Sequence, residues 1–450
     1  MASEWEDVCL NDVALATDYV ANGSFASLKD NVTYRSQPDY AVLVRTTDFN
    51  NSWNGNYVWV DQTSYEFLSK SNLEIGDLVL SNVGSVGVVF RVPDLGRPMT
   101  LGPNAVVCRT RNPTKLDQRF LFYYFSSADG QQSLRSITSG SVQPKFNKTD
   151  FRGLSLTLPP LAEQKAIAAV LGALDDKIEL NRRMNATLEA MARALFQSWF
   201  VDFDPVRAKL DGRPPAALDP ATAALFPEHL EETALGHTPK GWEVCPLSEK
   251  IQLLSGGTPK TSEPTYWDGD IPWYSVRDAP SETDVWVIRT DKHVTKLGIA
   301  NSAAQVFPEK TTIISARGTV GKLALTAVPM AMNQSCYGVR GVTGYGDYFT
   351  YYSLREATAQ LQQRTHGTVF DTITTETFKT LDCIFPTPKI TAAFDKLVEP
   401  LLGQIRANLH QSRTLATLRD TLLPKLLSGE LSVAPTDKES LSVQNTSKKS

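Results

Sequence analysis

Side chains that can hydrogen-bond or stack recur beside glycine and proline in two separate stretches of the chain. In the second stretch they follow Gly256-Gly257, line Trp273-Tyr-Ser-Val-Arg277, and flank Gly318 and Gly321. Arg, Lys, Asn and Gln carry the donors and acceptors that read base edges, and aromatic rings pack against bases or sugars. These residue types on turn-forming backbone are the kind that can contact a nucleic acid, and they are also common on solvated turns.

The candidate DNA contacts fall into two groups. Those in the first stretch are Arg35, Arg45, Trp53, Tyr57, Gln143 and Lys145. Those in the second stretch are Thr258, Lys260, Tyr274, Arg277, Arg317, Lys322, Asn333, Gln334 and Arg364. For any one of them the competing interpretation is a solvated surface or turn residue. As a set, they predict that several of their members contact DNA.

The glycines beside these candidates predict turns and not a phosphate-binding loop. Gly84, Gly87, Gly318 and Gly321 are expected to allow tight turns, because no GxxxxGK[ST] spacing surrounds Lys322.

Patterns that would support catalysis are absent from the sequence. It contains no NPPY-like or DPPY-like tetrapeptide for adenine methylation, no glycine-rich S-adenosylmethionine loop after a strand, and no Walker pair. Its five histidines are isolated and form no ligand set. We therefore expect no catalytic residue, no metal and no cofactor in this chain, so that any catalysis must come from elsewhere.

Composition restricts the setting of the protein. The 450 residues are 42% hydrophobic and 21% charged, as in a soluble globular protein of two or three domains. No secretory signal or membrane span is evident, and the five cysteines form no CxxC pair, which favours a reducing cytoplasm over a disulfide framework or a zinc site. The net charge of −4 requires any basic DNA-binding surface to be local.

The chain repeats itself at a fixed offset. Ser139-Gly-Ser-Val142 matches His366-Gly-Thr-Val369, and Phe151, Leu154 and Pro159 match Phe378, Leu381 and Pro386, each pair 386 − 159 = 227 residues apart. Ile178, Asn181, Leu188 and Leu195 match Ile405, Asn408, Leu415 and Leu422 at the same offset. A looser match upstream pairs the segment 79–87 with 313–321. The sequence therefore predicts a tandem duplication and not two unrelated domains.

The composition along the chain predicts six segments and an α+β fold. Residues 1–158 and 241–386 have short β-rich runs broken by Gly, Asn and Pro, so we predict two mixed α/β domains, named here the first and second reader. Residues 159–203 and 387–431 are predicted helices that follow proline clusters. Residues 204–240 form a Pro/Ala-rich spacer, predicted to be extended, and 432–450 a polar tail, predicted to be disordered.

The two predicted helices carry narrow apolar seams with coiled-coil spacing. The first seam is Leu171, Leu174, Ile178, Asn181, Asn185, Leu188, Ala192, Leu195 and Trp199; the second is Leu401, Ile405, Asn408, Ser412, Leu415, Arg419, Leu422 and Leu426. Because one narrow stripe needs a partner, the helices should pair with each other, with Asn181 and Asn408 fixing their register. Pro205 is expected to close the first helix, and Ser428-Gly429 the second. Glu163, Gln164, Lys165, Arg182, Arg183 and Arg413 lie off the seams and are candidate partner contacts, with a plain solvated face as the alternative.

At several places the chain resembles the specificity subunit of Type I restriction–modification systems. The likeness is carried by Leu158-Pro-Pro-Leu-Ala-Glu-Gln-Lys165, Ser198-Trp-Phe-Val-Asp-Phe-Asp-Pro-Val-Arg207, Ser255-Gly-Gly-Thr-Pro259 and Leu422-Leu-Pro-Lys-Leu-Leu-Ser-Gly-Glu-Leu431, and it extends from Trp5 to about Leu431. The sequence departs from the pattern at Phe385-Pro-Thr-Pro-Lys389, so the start of the second helix is expected to differ from the first.

The resemblance implies two target-recognition domains, each reading half of a split, asymmetric site in double-stranded DNA. It implies antiparallel helices that set the gap between half-sites and dock two methyltransferase subunits, which would bind S-adenosylmethionine, and nuclease/translocase subunits. Two other hypotheses remain open. One is a self-contained nuclease or methyltransferase, against which the missing cofactor motifs count, and the other is a protein-binding scaffold, which the net charge of −4 favours.

Overall fold

The computed structural model describes residues 5–53, 55–342, 344–364 and 372–433, without the side chains of residues 363 and 364. It divides into two compact units, Met1–Asp176 with Leu415–Ser450, and Lys177–Thr414. No helix in the described part of the chain is long and apolar enough to cross a membrane. Arg364 ends a helix, but its side chain lies outside the described residues, as do His366–Val369 and residues 434–450 of the predicted tail.

The first reader is a mixed α/β domain of short elements. Its strands are β1 Glu6–Cys9, β2 Ala14–Asp18, β3 Tyr34–Arg35, β4 Ala41–Val44, β5 Val58–Val60, β6 Asn72–Leu73, β7 Leu78–Ser81, β8 Val89–Arg91, β9 Met99–Leu101, β10 Ala105–Thr110 and β11 Ser155–Leu158. Its helices are α1 Leu10–Val13, α2 Phe25–Asn31, α3 Thr46–Asn50, α4 Gln62–Phe67, α5 Gln118–Ser126, α6 Ala128–Ser136 and α7 Lys148–Arg152. The sheets have the orders β2-β10-β7-β8 and β3-β5-β4-β9-β6, with β1 paired to β11.

The second reader repeats this plan. Its strands are β14 Glu243–Pro246, β15 Ile251–Ser255, β16 Trp267–Tyr274, β17 Trp286–Val287, β18 Lys292–Val294, β19 Thr312–Ser315, β20 Leu323–Thr326, β21 Ala331–Met332, β22 Cys336–Gly341 and β23 Asp382–Phe385. Its helices are α11 Lys296–Ala300, α12 Asp347–Arg364 and α13 Thr375–Lys379. The order β15-β22-β19-β20-β17 repeats the first sheet and adds β17, while β14 pairs with β23 as β1 does with β11. A smaller sheet has the order β18-β16-β21. The predicted duplication and the mixed α/β class are confirmed.

Apolar residues explain why the central strands lie inside each reader. Every residue of β7 (Leu-Val-Leu-Ser) and of β19 (Thr-Ile-Ile-Ser) is buried. Such continuous burial is typical of strands covered on both faces, and β-branched and leucine side chains pack well there. These two strands are equivalent in the duplication, so the same apolar run builds the core of both readers.

One long helix follows each reader in the chain. Helix α8 covers Leu161–Phe196 and continues as a π-helical turn, Gln197–Val201. Helix α14 covers Pro388–Leu427 and is followed by Gly429 with φ +72°. The two helices begin 388 − 161 = 227 residues apart, so the departure in sequence at the second helix start does not move it.

The spacer and the end of α8 differ from expectation. Phe203 has a left-handed φ of +58°, and Pro205 lies in the first turn of a new helix, α9 Asp204–Leu210, so it opens that helix and does not close α8. Proline fits there because the first turn leaves its missing N–H without cost. Helix α10 Pro220–Leu225 and the hairpin of β12 Leu230–Thr233 with β13 Gly236–Pro239 follow, so the spacer is largely folded and not extended.

Candidate nucleic-acid interface and helix seam

The hairpins β7–β8 and β19–β20 carry the same turn in both readers. The hydroxyl of Ser81 accepts a hydrogen bond from the N–H of Val88 (2.9 Å), and the hydroxyl of Ser315 accepts one from Lys322 (2.8 Å). The paired glycines have positive φ throughout, +78° and +89° at 84 and 87, and +79° and +84° at 318 and 321. The prediction that these glycines serve turn geometry is confirmed, because residues with a Cβ rarely adopt this conformation.

Backbone hydrogen bonds gather further loops around each hairpin turn. In the first reader Asn82 donates its N–H to Asn104 O (3.1 Å) and accepts from Phe146 N at its carbonyl (3.1 Å). In the second reader Ala316 does the same with Ser335 O (2.8 Å) and Ile373 N (3.0 Å). We name these loop clusters the first tip, residues 82–87, 102–104 and 139–146, and the second tip, residues 256–260, 316–322 and 333–335.

The second tip brings several predicted residues together. The Thr258 hydroxyl hydrogen-bonds the Gln334 side chain, and Gly257 donates its N–H to Met332 O (2.9 Å), which holds 256–260 against the loop that contains Asn333 and Gln334. Arg317 is exposed and Lys322 half-buried, and neither has a carboxylate partner among the described residues. Lys260 is exposed, and its carbonyl accepts from the Trp267 indole (3.2 Å).

Tyr274 has to be removed from the candidate surface. Its side chain is fully buried at the end of β16, inside a cluster with Phe307 and Met332. Burial also raises the pKa of its hydroxyl. The neighbouring Arg277 is exposed and remains a candidate. The glycine- and polar-rich sequence around Tyr274 concealed that this strand enters the core.

The first tip holds only two of the predicted residues. Gln143 and Lys145 are exposed on the loop 139–146, and Lys145 pairs its backbone with Ser139. Arg35 is instead held by Asp39 (2.8 Å) and Asp61 (3.3 Å). Arg45 is held by Asp48 (2.7 Å), at the N-terminus of α3. Lys145 is therefore the more available cation for a phosphate or base.

Trp53 and Tyr57 form a local structural cluster. The Tyr57 hydroxyl donates to the Trp53 carbonyl (2.5 Å), and Trp53 packs edge-on against Phe90, with ring centroids 5.6 Å apart. Both side chains are half-buried. Their packing accounts for their residue types without a ligand.

Sequence reasoning missed a concave surface beside the first tip. A cavity of about 580 Å³ is lined by Phe25, Lys29 and Tyr34 together with Asn82 and Asn104. Phe25 leaves 83% of its surface exposed, although it is a large apolar residue. Its only signal in the sequence is an aromatic residue directly after the helix cap Ser24, which does not by itself indicate exposure. Exposed aromatic and basic side chains around a concavity suit contact with bases or sugars.

The helix seam is polar where the two copies of one asparagine meet. Asn181 donates to Gln411 Oε1 (2.9 Å) and to Ser412 Oγ (3.1 Å), while Asn408 donates to Asn185 Oδ1 (2.9 Å). Residue 181 thus faces 412 and residue 185 faces 408, so α8 and α14 run antiparallel, as predicted. In α14 Leu402 is fully buried, whereas Leu401 of the predicted seam is half-buried. The carbonyl of Leu402 also accepts the Trp286 indole N–H (2.8 Å) from the second reader.

Each reader is attached to a long helix through the start of one of its own helices. In the first unit Gln164 of α8 accepts from Asp117 N (2.9 Å) ahead of α5 and donates to the Lys115 and Pro159 carbonyls. Gln164 is buried (1% exposed), so its prediction as a partner contact is wrong. In the second unit Asp395 of α14 accepts from Phe349 N (2.8 Å) and Tyr348 N (3.2 Å) in the first turn of α12, and burial raises its pKa to about 6.

The other predicted partner contacts lie on outward faces. Glu163 is half-buried, and Lys165, Arg182, Arg183 and Arg413 are exposed. Arg182 and Arg183 both pair with Glu179, at 2.8 and 3.6 Å. The same helices also expose large apolar residues that the heptad reading did not select: Leu180, Met191, Leu397 and Leu418.

Both halves of the chain match one family model. The model is described as the Type I restriction modification DNA specificity domain, and it matches residues 2–190 and 239–409. The chain belongs to this family. It is similar to the specificity subunit of the Type I restriction enzyme HindI from Haemophilus influenzae, with 28% identity covering 81% of this chain and 88% of that protein. It is also similar to the MjaIX specificity subunit from Methanocaldococcus jannaschii, with 25% identity covering 86% and 90%.

A solved structure shares the fold. The Type I restriction–modification S subunit from M. genitalium covers 94% of this chain and 96% of its own, with a TM-score of 0.53 and 15% sequence identity. At this identity the likeness concerns the fold alone. It agrees with the duplicated readers and long helices of this family member.

Proposed function

We propose that this chain is the DNA-specificity subunit of a Type I restriction–modification enzyme and that each reader binds one half of a bipartite, asymmetric DNA site. The observation that carries the proposal is the match of the family model to both halves, in which one backbone framework presents different side chains at its two tips. A duplicated pair of readers suits two half-sites, and divergence between the tips makes the half-sites differ.

Both tips carry cations that have no carboxylate partner among the described residues. Lys145 at the first tip, and Arg317, Lys322 and Lys260 at the second, have no carboxylate partner among the described residues, whereas Arg35 and Arg45 do. A local basic surface is compatible with a net charge of −4 because phosphate contacts depend on the potential near the groove.

Catalysis is assigned to partner subunits in the prokaryotic cytoplasm. Two methyltransferase subunits, each with its S-adenosylmethionine, and nuclease/translocase subunits would dock on the outward faces of α8 and α14, while this chain contributes no cofactor and no catalytic residue. Leu180, Met191 and Leu418 are exposed apolar residues of these helices. A protein-binding scaffold that reads no DNA is not favoured, because both halves match a DNA-specificity model.

Reconstitution tests the proposal. The chain alone should transfer no methyl group, and addition of the methyltransferase subunits encoded beside it should give methylation of a two-part site. Binding of the assembled complex to DNA should weaken steeply with salt, by roughly 0.9 logarithmic unit of affinity per logarithmic unit of salt for each phosphate contacted. Methyl transfer by the isolated chain, or binding that does not depend on salt, would contradict the proposal.

Matched variants locate the contact. Lys322→Ala at the second tip should weaken DNA binding by the assembled complex, whereas Arg213→Ala, in the spacer and paired with Asp211, should leave DNA affinity unchanged. Equal affinities for the two variants would remove the second tip from the interface.

A further inference from the structure

The second reader brings two distant cysteines to facing positions on one strand pair. Strands β14 and β23 are antiparallel, and Cys245 is the direct partner of Cys383 in their register. The two residues are 383 − 245 = 138 positions apart in the sequence. Side chains at directly opposed positions of antiparallel strands lie on the same face of the sheet.

The backbone geometry at this position suits a disulfide bond. Leu247 donates its N–H to Leu381 O (2.9 Å), which makes 247/381 a hydrogen-bonded pair. Because hydrogen-bonded and non-bonded pairs alternate, Cys245/Cys383 is again a hydrogen-bonded pair, with a Cα separation of about 5.5 Å. Disulfides usually span Cα separations of about 4.4–6.8 Å, a range that includes this pair, and the two Cβ atoms must approach to about 3.5–4.5 Å as the bond forms.

The two thiols differ in their surroundings. Cys383 is half-buried and lines a cavity of about 290 Å³ together with Leu235 and Phe385. Cys245 is buried (7% exposed), and its Sγ lies within 4.8 Å of carboxylate oxygens of Glu243 and Glu249. Burial and the Glu243 charge raise the pKa of Cys245 to about 11. An oxidant therefore reaches Cys383 first, and Cys245 reacts second and more slowly.

The first reader has an apolar pair at the same place. Leu10 donates its N–H to Leu154 O (2.8 Å), as Leu247 does to Leu381, and two residues away along the strands Val8 faces Leu156. The Val8/Leu156 pair thus corresponds to Cys245/Cys383. The strand pair that closes the first reader has one cysteine, Cys9, and it faces Ser155. A facing pair of cysteines is therefore not a requirement of the fold.

We propose that Cys245 and Cys383 form a reversible disulfide modification site for small-molecule disulfide oxidants. The bond would link strands β14 and β23 of the second reader covalently. This goes beyond DNA specificity and does not depend on it. The Cys383 thiolate attacks one sulfur of the oxidant, breaks its S–S bond and releases one thiolate. The Cys245 thiolate then attacks Cys383 Sγ, forms the intramolecular bond and releases the second. The two cysteines lose two electrons and two protons in total, and the oxidant becomes two thiols.

The experiment oxidises the purified full-length chain with oxidised glutathione and maps its peptides without reduction. The expected product is one peptide pair linking Cys245 to Cys383, two hydrogen atoms lighter than the dithiol and restored by a reductant. None of the five cysteines is in a disulfide in the structure. Cys108 and Cys336 are buried and have no facing cysteine, so they should remain unlinked and serve as internal controls. The oxidised chain should also unfold at a temperature higher by about 5 °C or more, because the cross-link restricts the unfolded state.

A matched variant keeps apolar packing at both positions and removes the two thiols. Cys245→Val with Cys383→Leu installs the residue types of the first reader, and its unfolding temperature should be the same with oxidant and reductant. The proposal is overturned if the folded wild-type chain yields only glutathione adducts, or only links between molecules. It is equally overturned if the variant gains the same temperature shift on oxidation.

Discussion

The two attachments of reader to helix perform one task with different chemistry. In the first unit the neutral amide of Gln164 holds the start of α5, whereas in the second the carboxylate of Asp395 holds the start of α12. Residue 395 corresponds to Ala168 at the offset of 227, one turn beyond Gln164, so the two attachments are not copies. The hairpin turns, by contrast, agree down to the serine that caps each of them.

The difference teaches which parts of a duplicated protein can diverge. A turn that depends on two glycines at positive φ admits few alternatives, because other residues are strained there. The start of a helix presents several unpaired N–H groups, and any well-placed acceptor on the long helix satisfies them. The hairpin turns, which depend on backbone conformation, have therefore stayed alike in the two readers. The contacts between reader and helix, which depend on side chains, have diverged.

The largest expected effect concerns the apolar cores of the two attachments. Phe394 of α14 and Ile167 of α8 are equivalent at the offset of 227, and both are fully buried. Phe394 packs against Phe196, Trp199 and Phe200. Phe394→Ala should lower the free energy of unfolding by about 3–5 kcal/mol and Ile167→Ala by about 2–4 kcal/mol, measured by denaturant titration. The exposed Leu397→Ala is the control and should change it by less than about 0.5 kcal/mol. A larger loss at Ile167 than at Phe394 would contradict this ranking.

The paired asparagines of the seam should not be equivalent. Asn408→Ala removes the donor to Asn185 and the acceptor of Gln404, and should cost about 2 kcal/mol. Asn181→Ala should cost less, because the Oδ1 of Asn181 is buried with no donor among the described residues, so its removal also relieves a penalty. Parallel unfolding titrations measure both variants. Equal losses of unfolding free energy would contradict this difference between Asn181 and Asn408.

The attachments should also differ in their response to pH. Asp395 has a folded-state pKa of about 6 against an ordinary value of 3.8, so the folded chain holds this proton more tightly than the unfolded chain does. Its ionised form costs stability above about pH 6, and this cost disappears as the pH falls toward about 4. Relative to Asp395→Asn, the wild type should gain about 1–2 kcal/mol between roughly pH 7.5 and 5, a figure reduced because the side chain is only partly buried.

Gln164→Glu supplies the reverse test in the first unit. It places a carboxylate where the amide now donates to two carbonyls, so stability should fall as the pH rises. Both series can be followed by unfolding monitored at several pH values. If the difference in free energy of unfolding between wild type and Asp395→Asn did not change with pH, Asp395 would not titrate as proposed.

The smallest effect tests the shared framework. Gly87→Ala and Gly321→Ala each place a Cβ at positive φ, where it would meet Gln131 Oε1 at 2.6 Å and Thr358 Cγ2 at 2.8 Å. Each should cost about 1–2 kcal/mol, and the two losses should agree to within about 0.5 kcal/mol. Thermal unfolding of the two variants, measured side by side, compares these two losses of stability. Losses that differ by more would show that the hairpins are less alike than their hydrogen bonds indicate.

The sequence predicted the repeated elements better than the contacts. An offset of 227 placed both helix starts and the Asn181/Asn408 seam, because a repeat conserves spacing. Heptad spacing could not identify Gln164 as an attachment, since its burial comes with two hydrogen bonds to the first reader and one to Pro159, which helix position does not reveal. The burial of Tyr274 and the pairing of Cys245 with Cys383 could not be predicted either. Both depend on strand pairing between residues far apart in the sequence, which tertiary structure determines.

The candidate site was located only in part. Arg317, Lys322 and Gln334 lie together at the second tip, but Arg45, Trp53 and Tyr57 serve local structure in the first reader. Residue type alone could not separate an arginine free to bind a phosphate from one already paired with Asp48. The exposure of Phe25 likewise depends on which loops surround it.

The central claim is that each reader specifies one half of the DNA site. The direct measurement is genome-wide mapping of methylated adenines in cells that express this chain with its methyltransferase, repeated after residues 1–158 are exchanged for the first reader of a relative. The account predicts a two-part motif of which one half changes and the other half and the gap stay the same. A change in both halves, or in neither, would contradict it.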